Sequence, residues 1–506
     1  MNKTFLSRFL DYIKKRNALS VFVLLLGYSF VLMYTDDFKL GIAVSVVVTF
    51  LIFYITKNLF LSLFSVFMIS LPFASPAKQY QFLYAEPTEY LTDQFPYGLF
   101  DKIYFTISNV WGILILLYIA DIIIRTMKKR RGTKIDLFLR CVRRPLVLMT
   151  LISWLMYFIL SALGSLQYSF NSGYSINYLF HEFNLITIYI GIIYLFVAEP
   201  NVSKYFSFLL SVMIAFFSII GLTQIIALFT GYAYIQSQPT YDIEQNLLFS
   251  RVGGTLGPNM HAYAIAILLI LLIPTIVKAK RRIFYLILVL LSVINIIFSQ
   301  SRTVWFGIGL STILYYLYDK KGVIRTAAYL VSKIKLYYIV LFVMALIVII
   351  VPRLETIGLF FTEEGGGTLR QQMLSEGWQM LQQSLLFGFG AGNNVRVMLN
   401  NLPNGYISIF PYPVHNTFLQ FAIDSGIPAA ILFFLPYYLI LRGLILQLIQ
   451  SKQKSNIFFS CFCCISITLI YFFLQPTFGR TELGFSGIIL GLGTVRLLKT
   501  QPVITS

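Results

Sequence analysis

The sequence predicts an all-α, polytopic membrane bundle of about 12–14 transmembrane helices. It reads as a single membrane domain over 1–506, with one large extracytoplasmic loop at 352–416. Three observations predict this. First, 58% of the residues are hydrophobic and only 12% are charged, whereas a soluble globular chain is about half apolar and about a quarter charged. Mean hydropathy is +0.78. Second, the apolar residues fall in runs of about 17–25, the length that crosses a hydrocarbon core of about 30 Å. Third, the basic residues between the runs alternate in a way that fixes an orientation. A soluble enzyme, a disordered chain and a secreted disulfide scaffold are excluded. Cys461, Cys463 and Cys464 share one apolar run and Cys141 lies in a basic loop, which makes neither a disulfide nor a zinc framework.

The runs are 18–34, 39–56, 58–74, 103–124, 145–164, 179–198, 205–231, 261–277, 283–299, 303–318, 336–351, 417–441, 457–475 and 483–498. The first is longer than a signal-peptide core and no A-x-A site follows it, so it reads as an uncleaved span. The ninth and tenth are separated only by Ser299-Gln300-Ser301-Arg302. No internal repeat, low-complexity tract or soluble domain is evident.

Orientation follows from the bias of Lys and Arg toward cytoplasmic loops. With both termini inside, strict alternation puts 30 of the 39 basic residues inside and 15 of the 20 acidic residues outside, a balance of +25 inside and −6 outside. The net charge of +19 is therefore a topology signal, and nucleic acid is not an expected partner. The reading places the chain in the bacterial cytoplasmic membrane as a multi-pass protein with its active site outside.

The three long outer loops are 75–102, 232–260 and 352–416, and a loop as long as the last is usually functional. After Gly365-Gly366-Gly367, the residues Leu369, Met373, Leu374, Trp378, Leu381, Leu385 and Leu386 recur at helical spacing. This helix either lies on the outer membrane face or packs on the bundle. The glycines of Gly388-Phe389-Gly390-Ala391-Gly392-Asn393-Asn394 either admit a ligand to the backbone or make tight turns. They form no Walker A loop. The loop closes with Pro411-Tyr412-Pro413-Val414-His415-Asn416, where the prolines constrain the approach to the next span. All three histidines, His181, His261 and His415, fall near predicted outer ends of spans.

Arg251, Arg302, Arg370 and Arg480 stand near outer ends, against the positive-inside trend. Arg offers a planar fork to phosphate, or it snorkels. Asp424 lies about two turns inside the twelfth run. It is a candidate binding residue or a helix-packing residue beside Ser425-Gly426, and about half a helical rotation from His415 argues against a direct pair.

His415-Asn416-Thr417-Phe418-Leu419-Gln420, with Asp424 and Gly426 beyond it, resembles the O-antigen ligase/polymerase family of bacterial membrane glycosyltransferases. Three further segments resemble that family in the same order: Arg251-Val252-Gly253-Gly254-Thr255-Leu256-Gly257-Pro258-Asn259, Ser301-Arg302-Thr303-Val304-Trp305, and Arg370 through Trp378 to Gly388-Phe389-Gly390-Ala391-Gly392. The resemblance covers about 250–440. It departs from the ligase pattern at Ala429 and by one residue before Asn259, which weighs toward polymerase over ligase.

The resemblance implies a C-type glycosyltransferase-like fold and an undecaprenyl-diphosphate-linked oligosaccharide donor. It also implies a metal-independent, cofactor-free reaction with His415 as general base; no Asp-x-Asp stands on the outer face to hold a metal. Arg251, Arg302 and Arg370 would hold the diphosphate and stabilise the charge it gains. Asn259, Asn416 and Asp424 complete the expected substrate-binding set, Asn416 being equally a helix N-cap. Membrane lipid and other polysaccharide-assembly proteins are the expected surroundings. The competing class is a lipid-linked oligosaccharide flippase, which would need Gly/Pro-broken spans in corresponding halves.

Overall fold

The computed structural model describes residues 17–35, 38–73, 106–129, 133–169, 172–199, 204–230, 238–242, 247–254, 257–278, 282–318, 367–405, 413–450, 456–477 and 481–500. The expected span at 336–351, the loop 75–102 and Arg480 lie outside them.

The protein is a helical membrane bundle. Its helices are α1 (Asn17–Tyr34), α2 (Phe38–Thr56), α3 (Leu59–Ser70), α4 (Ile107–Lys129), α5 (Thr133–Val142), α6 (Pro145–Tyr168), α7 (Ser172–Glu182), α8 (Asn184–Val197) and α9 (Lys204–Thr230). An antiparallel hairpin follows, β1 (Gln238–Asp242) and β2 (Leu247–Arg251), with Gln238 opposite Arg251. Then come α10 (Pro258–Lys278), α11 (Arg282–Phe298), α12 (Arg302–Tyr318), α13 (Gly367–Gln383), α14 (Asn394–Asn401), α15 (Thr417–Ser425), α16 (Ile427–Gln450), α17 (Asn456–Leu474) and α18 (Thr481–Thr500). Among the described residues, eight stretches are long and apolar enough to cross a membrane, and α1, α3 and most of α11 form shorter apolar helices.

One expected span is broken: the run 417–441 divides at Gly426 into α15 and α16. The run 179–198 forms one spanning stretch, Tyr178–Val197, in which α7 passes into α8 through Phe183 in helical conformation. The sequence reading also missed the hairpin within the loop 232–260.

Helix α6 shows why this is a membrane fold. Its buried face carries Thr150, Ser153, Ser161, Gly164 and Ser165, while Leu155, Ile159, Leu163 and Leu166 are exposed. Small and polar residues let helices approach and bond, and apolar side chains face the surround. Pro436 inside α16 has no N–H to give the carbonyl of Leu432, which its ring also crowds. Helix α6 supplies the missing donor: Ser153 Oγ donates to Leu432 O at 2.6 Å, and Trp154 Nε1 adds a bond to Phe433 O at 3.2 Å. Helix α18 lies against α8 through Gly487 and Gly491, where a Cβ would fall 2.8 Å from Leu185 O and 2.9 Å from Ile192 Cβ.

Candidate functional site

The ends of α10, α12 and α17 and the start of α15 meet at one end of the bundle, held by Gln475 just past α17. Its Oε1 accepts from Asn259 Nδ2 at 3.1 Å, and its Nε2 donates to Thr303 Oγ1 at 2.8 Å. Its carbonyl accepts from Thr417 Oγ1 at 2.7 Å. One buried residue thus ties together the three segments carrying Asn259, Arg302 and His415. Gln420 reinforces the junction by donating from Nε2 to Thr477 O at 2.7 Å and accepting from Thr477 N at 3.0 Å.

The hairpin reaches the same end. Val252 N donates to Phe298 O at 3.2 Å, which sets the backbone of Arg251 beside the turn leading into Arg302. The side chain of Arg251 lies outside the described residues. Gly253 and Gly254 are seated on Gln224 of α9, whose Oε1 accepts from both backbone N–H groups at 3.1 and 2.8 Å.

Arg302 opens α12 with its side chain exposed, and Arg370 is exposed in the first turn of α13. At 3.6 residues per turn, Arg370 shares a helix face with Met373, Gly377, Met380 and Leu381, all buried. That face packs on the bundle; a Cβ on Gly377 would lie 3.0 Å from Val414 and 3.1 Å from Leu419. Leu374 and Trp378, on the rest of the helix, remain exposed.

The charge of Arg370 acts on both Arg302 and His415, so α12, α13 and the segment before α15 converge here. His415 is partly buried. Burial first, and then Arg370, push its pKa down from 6.5 to about 3. The imidazole is therefore neutral at physiological pH, with a lone pair available to accept a proton. The other two histidines are elsewhere. His261 is fully buried, with Nε2 3.0 Å from Asn295 Oδ1 and its ring against Phe217. His181 is buried at the end of α7.

Three expected substrate-binding residues have scaffold bonds. Asn416 caps α15: its Oδ1 accepts from Leu419 N at 2.9 Å and its Nδ2 donates to Phe473 O at 3.1 Å. Asn259 serves Gln475. Asp424 accepts from Asn394 N at 2.8 Å and Asn394 Nδ2 at 2.9 Å, and from the backbone N–H groups of Gly392 and Asn393. Its carboxylate holds the start of α14, where the helix dipole favours a negative charge. The packing alternative for Asp424 is thus the one the bonds support.

The glycine segment is packed into the bundle. Phe389 N donates to Ile423 O and Ile427 N to Leu385 O, each at 2.9 Å. These bonds lock the segment against the break between α15 and α16. Gly388 has φ 66° and Gly426 φ 84°; a Cβ at Gly426 would fall 2.1 Å from Leu386 O. Asn393 Nδ2 reaches Ser169 and Ser175 Oγ, each at 2.6 Å. The glycines here make turns and close contacts. Beside Asp424, Tyr157 donates its hydroxyl to Glu182 Oε2 at 2.6 Å.

Sequence reasoning gave no role to Gln420 and Thr303, which stand in the resembling segments, and missed Gln475 and Thr477. The available signal was a Gln-Pro-Thr sequence at the end of an apolar run, which reads first as a span boundary.

Residues 286–434 match a family model described as O-antigen ligase. The match includes Arg302, Arg370, His415 and Asp424 and leaves out Arg251, Asn259 and Gln475. No curated protein matches the chain.

Proposed function

We propose, from the premise that this chain is a membrane protein of the O-antigen ligase family, that it is a polymerase of a bacterial surface polysaccharide. It would transfer glycan from an undecaprenyl-diphosphate-linked donor to a sugar hydroxyl of a lipid-linked acceptor, on the outer face of the cytoplasmic membrane. The observation that carries the reading is the convergence of Arg302, Arg370 and His415 at one end of the bundle. The charge of Arg370 acts on Arg302, and the forked geometry of Arg suits a diphosphate.

The acceptor hydroxyl oxygen attacks the anomeric carbon as that carbon's bond to the diphosphate oxygen breaks. The bonding pair leaves with the lipid diphosphate, where Arg302 and Arg370 meet the added negative charge. His415 takes the hydroxyl proton. Its low pKa has a consequence for timing. Part of the lowering comes from Arg370, and a diphosphate beside Arg370 offsets that charge. His415 therefore becomes a stronger base when the donor is seated. Arg251 would be a third phosphate-binding residue, a role supported by the bond of the neighbouring Val252 N to Phe298 O.

The distribution of Lys and Arg supports cytoplasmic termini and an extracytoplasmic site. A second reading, ligation of finished glycan to a surface anchor, is favoured by the description of the matching family. Deleting the gene and resolving the polymer by length separates the two. Loss of long chains with single repeat units retained supports the polymerase; free polymer without its anchor supports the ligase. Accumulation of inward-facing lipid-linked units would instead indicate a flippase and overturn both.

A further inference from the structure

Helix α13 has a second face that the arginine–histidine site does not use. Gln372, Ser375 and Gln379 lie on the side turned away from Arg370, Met373, Gly377 and Met380, and Glu376 lies at the edge between the two, as 3.6 residues per turn requires. Across from them are Asn401, at the end of α14, and Asn404 in the turn that follows. Together they line an open groove of about 490 Å³, within the size range of small-ligand sites, about 300–1,000 Å³. Gly405 keeps its wall clear: a Cβ there would fall 2.8 Å from Glu376 Oε1.

The chemistry of this lining is specific. Each amide side chain offers two N–H donors and an acceptor oxygen with two lone pairs, and each hydroxyl both gives and accepts. Among the described residues that line the groove there is no Lys or Arg, and a phosphate there would face the Glu376 carboxylate. Leu402 and Pro403 are the lining residues with apolar side chains, too little apolar surface to hold a lipid chain. A neutral ligand dense in hydroxyl groups fits these terms, each of its O–H groups matching an amide or carboxylate. The groove is also well placed. It is separated from Arg370 by the thickness of α13, about 10 Å, a distance that a few linked sugar rings cover.

We propose that this groove is a saccharide-binding subsite, which holds the sugars of the glycan substrate distant from the reacting end while the diphosphate end lies at Arg302 and Arg370. The proposal rests on the transferase reading above and extends it to the part of the substrate that carries no charge. Helix α13 then works with both faces: Arg370 toward the leaving group, the glutamines toward the glycan.

The test uses purified full-length protein and, as probe, the oligosaccharide cleaved by mild acid from the host's own lipid-linked donor, freed of lipid and phosphate. Saturable binding is expected by calorimetry. The pairs Gln372→Ala/Gln379→Ala and Asn401→Ala/Asn404→Ala should each weaken it by about tenfold, since each removes two hydrogen-bonding side chains. All four residues are exposed, and an unchanged melting temperature checks that the fold is kept. Arg302→Ala should bind the free oligosaccharide like the parent. In turnover assays the groove variants should raise KM and leave kcat in place.

Equal binding by parent and groove variants overturns the proposal, as does absence of binding by the parent. The two readings fail separately. A protein that binds the oligosaccharide through the groove but transfers nothing keeps the subsite and loses the transferase. A protein that transfers glycan with KM unmoved by the groove variants keeps the transferase and loses the subsite.

Discussion

Two polar regions lie along the same stretch of chain and are built on opposite rules. Asp424 and Gln475 spend their own polar atoms inside the protein: on the backbone of Gly392–Asn394, on Thr303, on Thr417 and on Asn259. Around His415, the charged groups Arg302 and Arg370 are brought together with their side chains exposed. In a membrane protein, a buried acid or amide is a functional candidate by default. The contrast shows what refines that default. A polar group bonded to backbone at a break or cap is holding shape, whereas like charges gathered at an exposed surface leave their charge within reach of a ligand.

The sharpest break of this comparison is His415→Ala, expected to lower kcat by about 10²–10⁴-fold with donor binding retained. His415→Gln can hydrogen-bond but cannot carry the proton, so full activity in that variant would reassign His415 to positioning. A gel of product lengths from purified protein and lipid-linked donor reads both, and running it with EDTA tests metal independence.

Next come the arginines. Arg302→Ala and Arg370→Ala should each cost about 10²–10³-fold, and Arg251→Ala should follow if the hairpin delivers its side chain to the same turn. Lys should rescue poorly because it lacks the fork. Normal polymer from the Lys variants would show that the arginines merely snorkel.

Gln475→Leu keeps the volume and removes both amide contacts. A fall in kcat of about 10–100-fold with KM near normal is expected, since the segments carrying Asn259 and Arg302 lose their side-chain brace while the backbone carbonyl still accepts from Thr417. Asp424→Asn should instead act on the scaffold, costing about 1–3 kcal/mol in thermal unfolding while turnover per folded molecule stays near normal. A large loss of turnover without loss of stability would move Asp424 across to the other region.

The smallest expected effect is a flat one. Since burial and Arg370 lower the pKa of His415 to about 3, the imidazole loses its capacity to accept a proton only as pH falls toward that value. kcat/KM, which reports the free enzyme, should therefore be level from about pH 5 to 8. The acid limb of kcat should lie higher, because the bound diphosphate offsets Arg370. A limb in kcat/KM near 6.5 would mean an unperturbed, solvated His415.

The spans were legible because an apolar run near the bilayer thickness has few alternatives. The break at Gly426 was not, because it is not local: it exists because 384–394 packs beside it and bonds through Leu385 O and Phe389 N. The hairpin was hidden because two five-residue strands carry little pattern in a long loop. Arg302, Arg370 and His415 were legible by position, as polar residues where the charge bias disfavours them. Gln475 was not, since a glutamine ending a hydrophobic run looks like any boundary. Asn416 was read with both roles open, and only Leu419 N and Phe473 O decide between them. The half-turn that separates Asp424 from His415 did foretell that they do not pair.

The bonds from Ser153 and Trp154 to the carbonyls near Pro436 join residues 279 apart in sequence. At a synthesis rate of about 5–20 residues per second, the partner helix emerges on the order of 15–55 s after α6 does. During that interval the polar face of α6 has entered the membrane without the backbone it is shaped to meet. The insertion machinery must shelter it, or the nascent chain must delay its release into lipid. A chain that stops before α16 would leave the hydroxyl and indole N–H facing hydrocarbon, and should be cleared by membrane proteases while the full-length chain accumulates.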